Sequence, residues 1–475
     1  MIPLLLPAEL AEVDSSAPEP VEVLVRRAGY AVAGAARRLM AGTYGRRVVV
    51  VAGRGNNGAD GRVAAAVLAR WGARVVVLDA ADLPGGAALL GPDRPGADLI
   101  VDAAYGTGLR RLYEPPDPGS TPVLAVDIPS GLSATTGTGS SMTAAATVTF
   151  AALKPGLVLN DGAERSGRLE LAGIGLDGAA ARRAAMWLVE DADMQRLPRR
   201  GRRAHKWQCA VAVVGGSHQM NGAPLMVARA ALRAGAGYVL VGVPGAPEGG
   251  GLPPGEHVAV DLPEGDWVAA AAASAGRARA LAVGPGLGAA ARGTEGAAGP
   301  DTAVGRLLLA TDVPAVVDAD GITALGSIDA VRAVTSRRSA PIVLTPHEGE
   351  YAKLTGHRPA DDRIADVRAT AVQTGAVVLL KGSTTVLSDP AGRVLVAAAG
   401  RPNLATAGSG DSLTGIIAAF LARGVEPLEA AALAAHAHGR AAGLGRPEGL
   451  VASDLPELVA DYLSAVAGTQ TAASS

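Results

Sequence analysis

Short apolar runs rich in β-branched residues recur along the chain. The first series comprises Val48-Val49-Val50-Val51, Val75-Val76-Val77-Leu78, Leu99-Ile100-Val101 and Val123-Leu124-Ala125-Val126, with glycine-rich turns after several of them. Between several runs lie alanine-rich stretches at helical spacing, with Val63, Val67, Leu68 and Trp71 on one face. Strand and helix alternating in this way predict βαβ units around a mostly parallel sheet. The runs are continuous rather than alternating in polarity, so the strands are expected to be buried on both faces.

The pattern stops at Leu197-Pro198-Arg199-Arg200-Gly201-Arg202-Arg203, which reads most simply as a solvated basic linker. A fresh series then begins at Ala210-Val211-Ala212-Val213-Val214. It continues through Tyr238-Val239-Leu240-Val241, Leu281-Ala282-Val283, Ala315-Val316-Val317, Ile342-Val343-Leu344 and Val377-Val378-Leu379-Leu380. The predicted organisation is α/β throughout: a first domain over residues 1–195, a basic linker over 196–205 and a second domain over 206–475. The glycine- and proline-rich stretches 245–255 and 293–299 read as mobile loops.

Composition narrows the function classes. A chain of 475 residues exceeds what one core usually organises, which agrees with two domains. With 49% hydrophobic and 19% charged residues the chain should fold rather than stay disordered. A formal net charge of -2 gives no electrostatic reason to expect nucleic acid or an anionic membrane as partner. Cys209 stands alone, so neither an internal disulfide nor a thiolate metal cluster is available. No uninterrupted apolar run reaches the ~18 residues of a membrane span. The start, Met1-Ile2-Pro3-Leu4-Leu5-Leu6-Pro7, has no basic leader and is broken by two prolines, so a cytoplasmic protein is expected. Lysine is scarce, which draws attention to Lys154, Lys206, Lys353 and Lys381.

In the first domain Gly53-Arg54-Gly55-Asn56-Asn57-Gly58 follows a predicted strand and opens a predicted helix. That glycine spacing lets backbone N–H groups approach a phosphate at a helix N-terminus, and Asp79 lies where such a motif places its ribose carboxylate. A tight turn without ligand is the plainer alternative. Asp102 ends the third strand ahead of Gly106-Thr107-Gly108-Leu109-Arg110-Arg111, and Asp127-Ile128-Pro129-Ser130-Gly131 ends the fourth. In a parallel sheet such ends converge on one crevice, so Asn57, Asp60, Asp102, Asp127 and Ser130 can meet. A carboxylate with neutral oxygens suits a hard cation and leaves another carboxylate for proton transfer. Each aspartate alone could be a turn residue or a helix cap; their joint placement favours a site.

Gly53 to Gly61, Asp102 to Leu109, Asp127 to Leu132 and Ala152-Leu153-Lys154-Pro155-Gly156 together resemble the NAD(P)H-hydrate epimerase domain, over approximately residues 1 to 190. The resemblance implies a Rossmann-like domain that interconverts the R and S epimers at the hydrated nicotinamide carbon. It implies that Asn56, Asn57, Gly58, Ala59, Asp60, Gly106, Thr107, Gly108, Leu109, Arg110, Arg111, Leu112 and Asp127 hold the hydrate. Asn57, Asp102 and Ser130 would ligate potassium (K+). Asp127 is the expected acid/base, with Lys154 as a second candidate. Ala59 stands where the family usually has glycine, and the turn after Ser130 lacks the acidic residue often found there.

In the second domain Ala405-Thr406-Ala407-Gly408-Ser409-Gly410-Asp411 precedes a predicted helix with Leu413, Ile416, Ile417, Phe420 and Leu421 as its apolar stripe. Free N–H groups at that helix start can hold developing negative charge, and Asp411 beside them can act as a base; the alternative is an aspartate that merely caps the helix. Gly215-Gly216-Ser217 and Gly284-Pro285-Gly286-Leu287-Gly288 permit close backbone approach to a ligand. Asp318-Ala319-Asp320-Gly321 adds carboxylates, and Lys381-Gly382-Ser383-Thr384-Thr385 offers donors suited to phosphate. His347 alone reads as a hydrogen-bonded structural histidine before it reads as a ligand contact.

These motifs resemble the ribokinase-like fold and, more narrowly, the nucleotide-dependent NAD(P)H-hydrate dehydratases across roughly residues 204 to 470. The resemblance rests on Gly215-Gly216-Ser217 with Gly222-Ala223, on Thr345-Pro346-His347-Glu348-Gly349-Glu350, and on Asn403 to Leu413. Ala407 and Ser409 replace the family's usual glycine and threonine, and Trp207 after His205-Lys206 replaces a usual glycine. The resemblance implies that Ala223, Gly286, His347 and Asp411 contact the hydrate, while Lys381, Gly382, Ser383, Thr384, Thr385 and Gly410 hold the nucleotide. Asp411 would deprotonate the ring hydroxyl as it is phosphorylated, and phosphate would then be eliminated. Magnesium (Mg2+) is expected on the nucleotide, ADP rather than ATP is the favoured cosubstrate, and a homo-oligomer is expected. The fused reading makes NADHX and NADPHX the substrates. Its rivals are a ribokinase-like vitamin-precursor kinase and a nonenzymatic nucleotide-binding protein.

Overall fold

Residues 47–52 show why the apolar runs become buried strands. Val48, Val50 and Ala52 face one hydrophobic core while Val49 and Val51 face another, the two-residue period of a strand covered on both sides. On the first side the helices Val21–Leu39 and Asn56–Arg70 supply Val32, Ala36, Ala64 and Leu68. The computed structural model describes residues 1–90, 96–109, 112–217, 220–247 and 252–473. It divides into two units, Ile2–Trp187 and a second from Leu188 onward.

The sheet of the first unit runs, edge to edge, Arg74–Asp79, Arg47–Ala52, Leu99–Ala103, Val123–Val126, Ala146–Phe150 and Arg168–Ala172, with every pairing parallel. The chain leaves Arg47–Ala52 toward one edge and then returns to build on its other side. The crevice beyond Ala52 and Ala103 is therefore the switch point where such sheets bind ligands. One expectation needs correction. Arg74–Asp79 is an edge strand, and Val76 and Val77 remain 53% and 45% exposed, because a run at the margin of a sheet lacks cover that interior strands receive.

In the second unit the strands follow the order Val394–Ala397, Thr385–Ser388, Val377–Leu380, Ile342–Leu344, Ala315–Val317, Ala280–Val283, Ala210–Val214, Tyr238–Pro244, Val258–Leu262. All pair in parallel except the antiparallel ladder through Val377–Leu380, Thr385–Ser388 and Val394–Ala397. The order reverses between Ala210–Val214 and Ala280–Val283, and Gly216 N–H donates to the Pro285 carbonyl at 2.8 Å across that point. Helix Ser409–Ala422 is buried on all sides from Ser412 onward, which explains its nearly continuous apolar sequence. Gly415 sits so close to helix Gly222–Arg233 that a Cβ would lie 2.2 Å from the Val227 carbonyl oxygen. Residues 197–205 carry neither helix nor strand and belong to the second unit. No helix among the described residues is long and apolar enough to cross a membrane.

Gly53 anchors the first crevice: its N–H donates to the Ala103 carbonyl at 3.0 Å, and a Cβ would lie 1.9 Å from the Ala104 carbonyl oxygen. Gly53→Ala must push the two strand ends apart. We expect the unfolding midpoint of the first unit to fall by about 4–8 °C in calorimetry, the equivalent of about 2 kcal/mol in a unit of this size.

Candidate active sites

The first crevice opens into a cavity of about 690 Å³ lined by Asn56, Asn57, Asp60, Gly106, Thr107, Gly108, Leu109 and Asp127, together with Asp14, Gly55, Ala104 and Tyr105. The loop-to-helix turn at Gly55, the chain after Ala103 and the residue after Val126 thus meet as the strand order dictates. Asp127 adopts φ 71°, a left-handed conformation that aspartate tolerates better than most residues. An ideal Cβ on Gly106 would lie 3.1 Å from Asp127 Oδ2 and 3.4 Å from Asn57 Cγ, so the absence of a side chain at Gly106 keeps these groups open to one space.

Lys154 reaches this site from the turn after Ala146–Phe150. It is 2% exposed, pairs with the Asp127 carboxylate and donates to Thr149 Oγ1 at 2.6 Å. Asp60 is 7% exposed and unpaired among the described residues, and burial followed by repulsion from Asp127 and Asp14 pushes its pKa up to about 8. Asp102 is fully buried. Its carboxylate accepts from Ser130 Oγ at 2.6 Å and from Ser130 N–H at 2.9 Å, while Ser130 Oγ also accepts from Tyr105 N–H at 2.9 Å. Burial holds the Asp102 carboxyl above its ordinary range despite those bonds. The side-chain oxygen and nitrogen of Asn57 are buried with no hydrogen-bond partner among the described residues. An orphaned amide oxygen, a buried carboxylate and a serine around the Tyr105–Gly106 turn are the oxygen donors a monovalent cation accepts.

Several anticipated residues take other positions. Gly58 packs under Gly53, where a Cβ would meet the Gly53 carbonyl oxygen at 1.9 Å, and neither Gly58 nor Ala59 lines the cavity. Leu112 is fully exposed, Arg110 and Arg111 lie outside the described residues, and Asp79 caps its own turn by accepting from Ala81 N–H at 2.9 Å. Asp14 escaped sequence reasoning. It sits on helix Pro7–Ser15, ahead of the first βαβ unit and outside any motif, and only the folded chain brings it to the cavity.

In the second unit the carboxyl ends of four parallel strands present Gly215, Gly284, Asp318 and Lys381. Asp318, 1% exposed, accepts from Lys381 Nζ at 2.6 Å, from Thr414 Oγ1 at 2.7 Å and from Ala319 N–H at 2.9 Å. Asp411 lies in the first turn of helix Ser409–Ala422, half-buried and, among the described residues, without a side-chain hydrogen bond. Burial, and then repulsion from Asp318, pushes its pKa up to about 7, with Lys381 opposing. Glu350 is raised by burial and senses the same lysine and aspartate. Its carboxylate accepts from His347 N–H at 2.9 Å, and His347 Nδ1 accepts from Gly349 and Glu350 N–H at 2.9 and 3.3 Å. The ring of His347 thus caps helix Glu348–Thr355 while its side chain stays 61% exposed. Ala223 and Gly286 are neighbours, with a Cβ on Gly286 3.1 Å from that of Ala223.

A second cavity, about 480 Å³, is lined by Lys381, Gly382, Ser383, Thr385, Ser409 and Gly410 with Arg401, Leu413 and His438. Thr384 is buried behind it. Gly410 puts the helix start beside the lysine, since a Cβ there would lie 3.3 Å from Lys381 Nζ. A half-buried cation, small residues and unbonded helix N–H groups form a place for phosphate. His438, on helix Pro427–Leu444, is buried and its pKa is pushed down to about 4 by burial, so the wall there is a neutral imidazole. Asp318 stands out in the sequence as a strand-end carboxylate and Glu350 as part of the Thr345–Glu350 motif, whereas nothing local marks His438. Among the described residues no three His, Cys, Asp or Glu side chains converge as a metal cage.

Comparison with known proteins follows the same division. The family model described as NAD(P)H-hydrate dehydratase matches residues 211–464. The model described as YjeF-related protein N-terminus matches residues 21–88 and 85–156. The bifunctional NAD(P)H-hydrate repair enzyme Nnr of Moorella thermoacetica is 37% identical, with 92% of this chain and 91% of that protein aligned. The protein of the same name from Mycobacterium tuberculosis is 39% identical over 89% of each chain. Among solved structures, the ADP/ATP-dependent NAD(P)H-hydrate dehydratase of Bacillus subtilis, co-crystallised with ATP/Mg2+, is 26% identical with a TM-score of 0.46, covering 58% of this chain and 97% of that one.

The Lys381–Asp318 pair gives a stability test. Lys381→Met leaves Asp318 buried without its counter-charge, which costs about 3–5 kcal/mol. Urea titration followed by circular dichroism should show the second unit unfolding at a correspondingly lower midpoint.

Proposed function

The chain belongs to the bifunctional NAD(P)H-hydrate repair enzymes, and from that premise we propose that residues 1–195 interconvert the R and S hydrates while residues 206–475 dehydrate the S hydrate to NADH or NADPH at the cost of a nucleotide. The observation that carries the dehydratase assignment is Asp411: a half-buried carboxylate with no side-chain hydrogen bond among the described residues, at a helix start beside the Lys381–Asp318 pair.

In this reading Ala223, Gly286 and His347 hold the hydrate against Asp411, and Lys381 to Thr385 with Gly410 hold ADP or ATP. Asp411 takes the proton of the ring hydroxyl as its oxygen attacks the terminal phosphorus, and the bond to the departing nucleotide breaks. The carbon–oxygen bond then cleaves with phosphate as leaving group, the ring nitrogen supplies the electron pair, and loss of a proton from the adjacent ring carbon restores the double bond. Water would leave poorly from the same carbon; phosphate leaves well. Lys381 and the helix N–H groups stabilise the charge on the transferred group. Asp318 and Glu350 are the hard oxygen donors that fit a magnesium ion carried in with the nucleotide, and that ion would neutralise phosphate charge.

In the first domain Asn57, Asp102 and Ser130 are the residues that would hold potassium, and the orphaned Asn57 amide oxygen supports the assignment. The cation would supply fixed positive charge near the bound hydrate. Asp127, kept against Lys154, is the base that takes the hydroxyl proton.

Incubated with mixed hydrate epimers and ADP or ATP, the protein should regenerate the absorbance of reduced nicotinamide, consuming both epimers faster than they interconvert spontaneously. A kinase would leave a stable phosphorylated alcohol, and a binding protein would show no turnover. Asp411→Asn should lower dehydration by at least about 100-fold while epimerisation persists, and Asp127→Asn should do the opposite. Either change stopping both activities in a folded protein refutes the division of labour. Because the base must be ionised, dehydration should also decline as pH falls through about 7, and a rate independent of pH across that value would remove Asp411 from the role.

A further inference from the structure

The epimerase reading gives one buried group of the first cavity no more than a place among the contacts of the hydrate. Asp60 lines the same space as Asp127, is 7% exposed, and has no hydrogen bond or ion pair among the described residues. A carboxyl group this enclosed normally has a partner, and an unpartnered one facing a cavity points to chemistry with whatever enters. Asp14, on a helix remote in sequence, lines the cavity too and acts on Asp60 with like charge. Asp127 differs, since the Lys154 ammonium neutralises it.

We propose that Asp60 is a second catalytic residue of the epimerase, the general acid that works with the Asp127 base, and that Asp14 is its positioning residue. The inference rests on the reading of the first domain as an epimerase. The chemistry of the substrate requires the pair. The hydrated carbon carries both the hydroxyl and the ring nitrogen, so inversion can proceed by opening the ring. Asp127 takes the hydroxyl proton, the carbon–oxygen bond becomes a carbonyl, and the carbon–nitrogen bond breaks. Its electron pair stays on nitrogen, which receives the proton of Asp60. Rotation about the neighbouring carbon–carbon bond turns the other carbonyl face toward nitrogen. On reclosure Asp127 gives its proton to the oxygen and Asp60 takes back the proton of the attacking nitrogen, so both groups return to their starting states and nothing is oxidised or reduced.

The electrostatics agree with this assignment of roles. Burial first, then Asp127 and Asp14, raise Asp60 to about 8, with Lys154 the opposing charge, so Asp60 carries its proton at neutral pH. Asp14 itself is raised by burial, with Lys154 opposing and Asp127 adding to it. The acid form of Asp60 is required, so epimerisation should be retained below about 8 and fall as pH rises through it.

The test uses the full chain without nucleotide, so that the dehydratase is silent, and follows conversion of the purified R epimer into S. Asp60→Asn should lower kcat at least about 100-fold, while dehydration of the S epimer with ATP stays within twofold as the measure of intact folding. Asp14→Asn removes one negative charge near Asp60 and should move the alkaline limb of the pH profile down by on the order of one unit, a change that a merely structural helix residue would not produce. A wild-type chain that does not interconvert the epimers overturns the epimerase reading and this inference with it. A wild-type chain that does, with Asp60→Asn within threefold of it, overturns Asp60 as the acid alone. An alkaline limb unmoved in Asp14→Asn overturns the positioning role, and this variant still decides if Asp60→Asn does not fold.

Discussion

A parallel sheet covered on both faces can place charged chemistry only where its strands end, since its faces are occupied by apolar side chains and the helices that bury them. Both units obey this constraint at the carboxyl ends of their strands. In the first, Gly53, Asp102, Asp127 and Lys154 follow or close four successive interior strands; in the second, Gly215, Gly284, Asp318 and Lys381 follow four of five neighbouring parallel strands. Each order of strands reverses once, and the crevice at the reversal is where backbone can meet a ligand without displacing core. The glycines at these points, Gly53 beside Ala104 and Gly216 beside Pro285, hold adjacent strand ends close enough for the crevice to exist.

The two sites share an electrostatic arrangement despite their different chemistries. Lys154 pairs with Asp127 and Lys381 pairs with Asp318, while the remaining lysines, Lys206 and Lys353, stay exposed. Each pair neutralises one strand-end carboxylate and leaves a neighbouring carboxyl uncompensated. Desolvation then lifts that neighbour toward neutrality, Asp60 to about 8 and Asp411 to about 7. A group titrating near the working pH can both hold and release a proton, which proton-transfer chemistry needs. The scarcity of lysine elsewhere is what makes the arrangement visible in the composition.

The strands, their parallel pairing and the division into two α/β units were legible because hydrophobic periodicity and glycine punctuation are local signals. Asp102, Asp127, Lys381 and Asp411 were legible too, each lying within a residue or two of a strand end or helix start that topology sends to a crevice. Other assignments were less readable. Leu112 belongs to the sequence motif yet stands fully exposed, and Asp79 lies at the spacing of a ribose ligand yet closes its own turn. Val76 and Val77 look like interior strand residues and lie on an edge strand, because position within a sheet depends on the order in which strands pair.

What the sequence by itself determined was the set of elements and the residues adjoining their ends, since strand propensity, helix spacing and turn chemistry act over a few neighbouring residues. Only the tertiary structure decided which of those residues share a space and in which protonation state. The convergence of Asp14 with Asp60, and of Glu350 with Lys381 and Asp318, arises from segments far apart in the chain. The proton on Asp60 depends on desolvation and on charges brought beside it, and neither exists until the chain has closed around them.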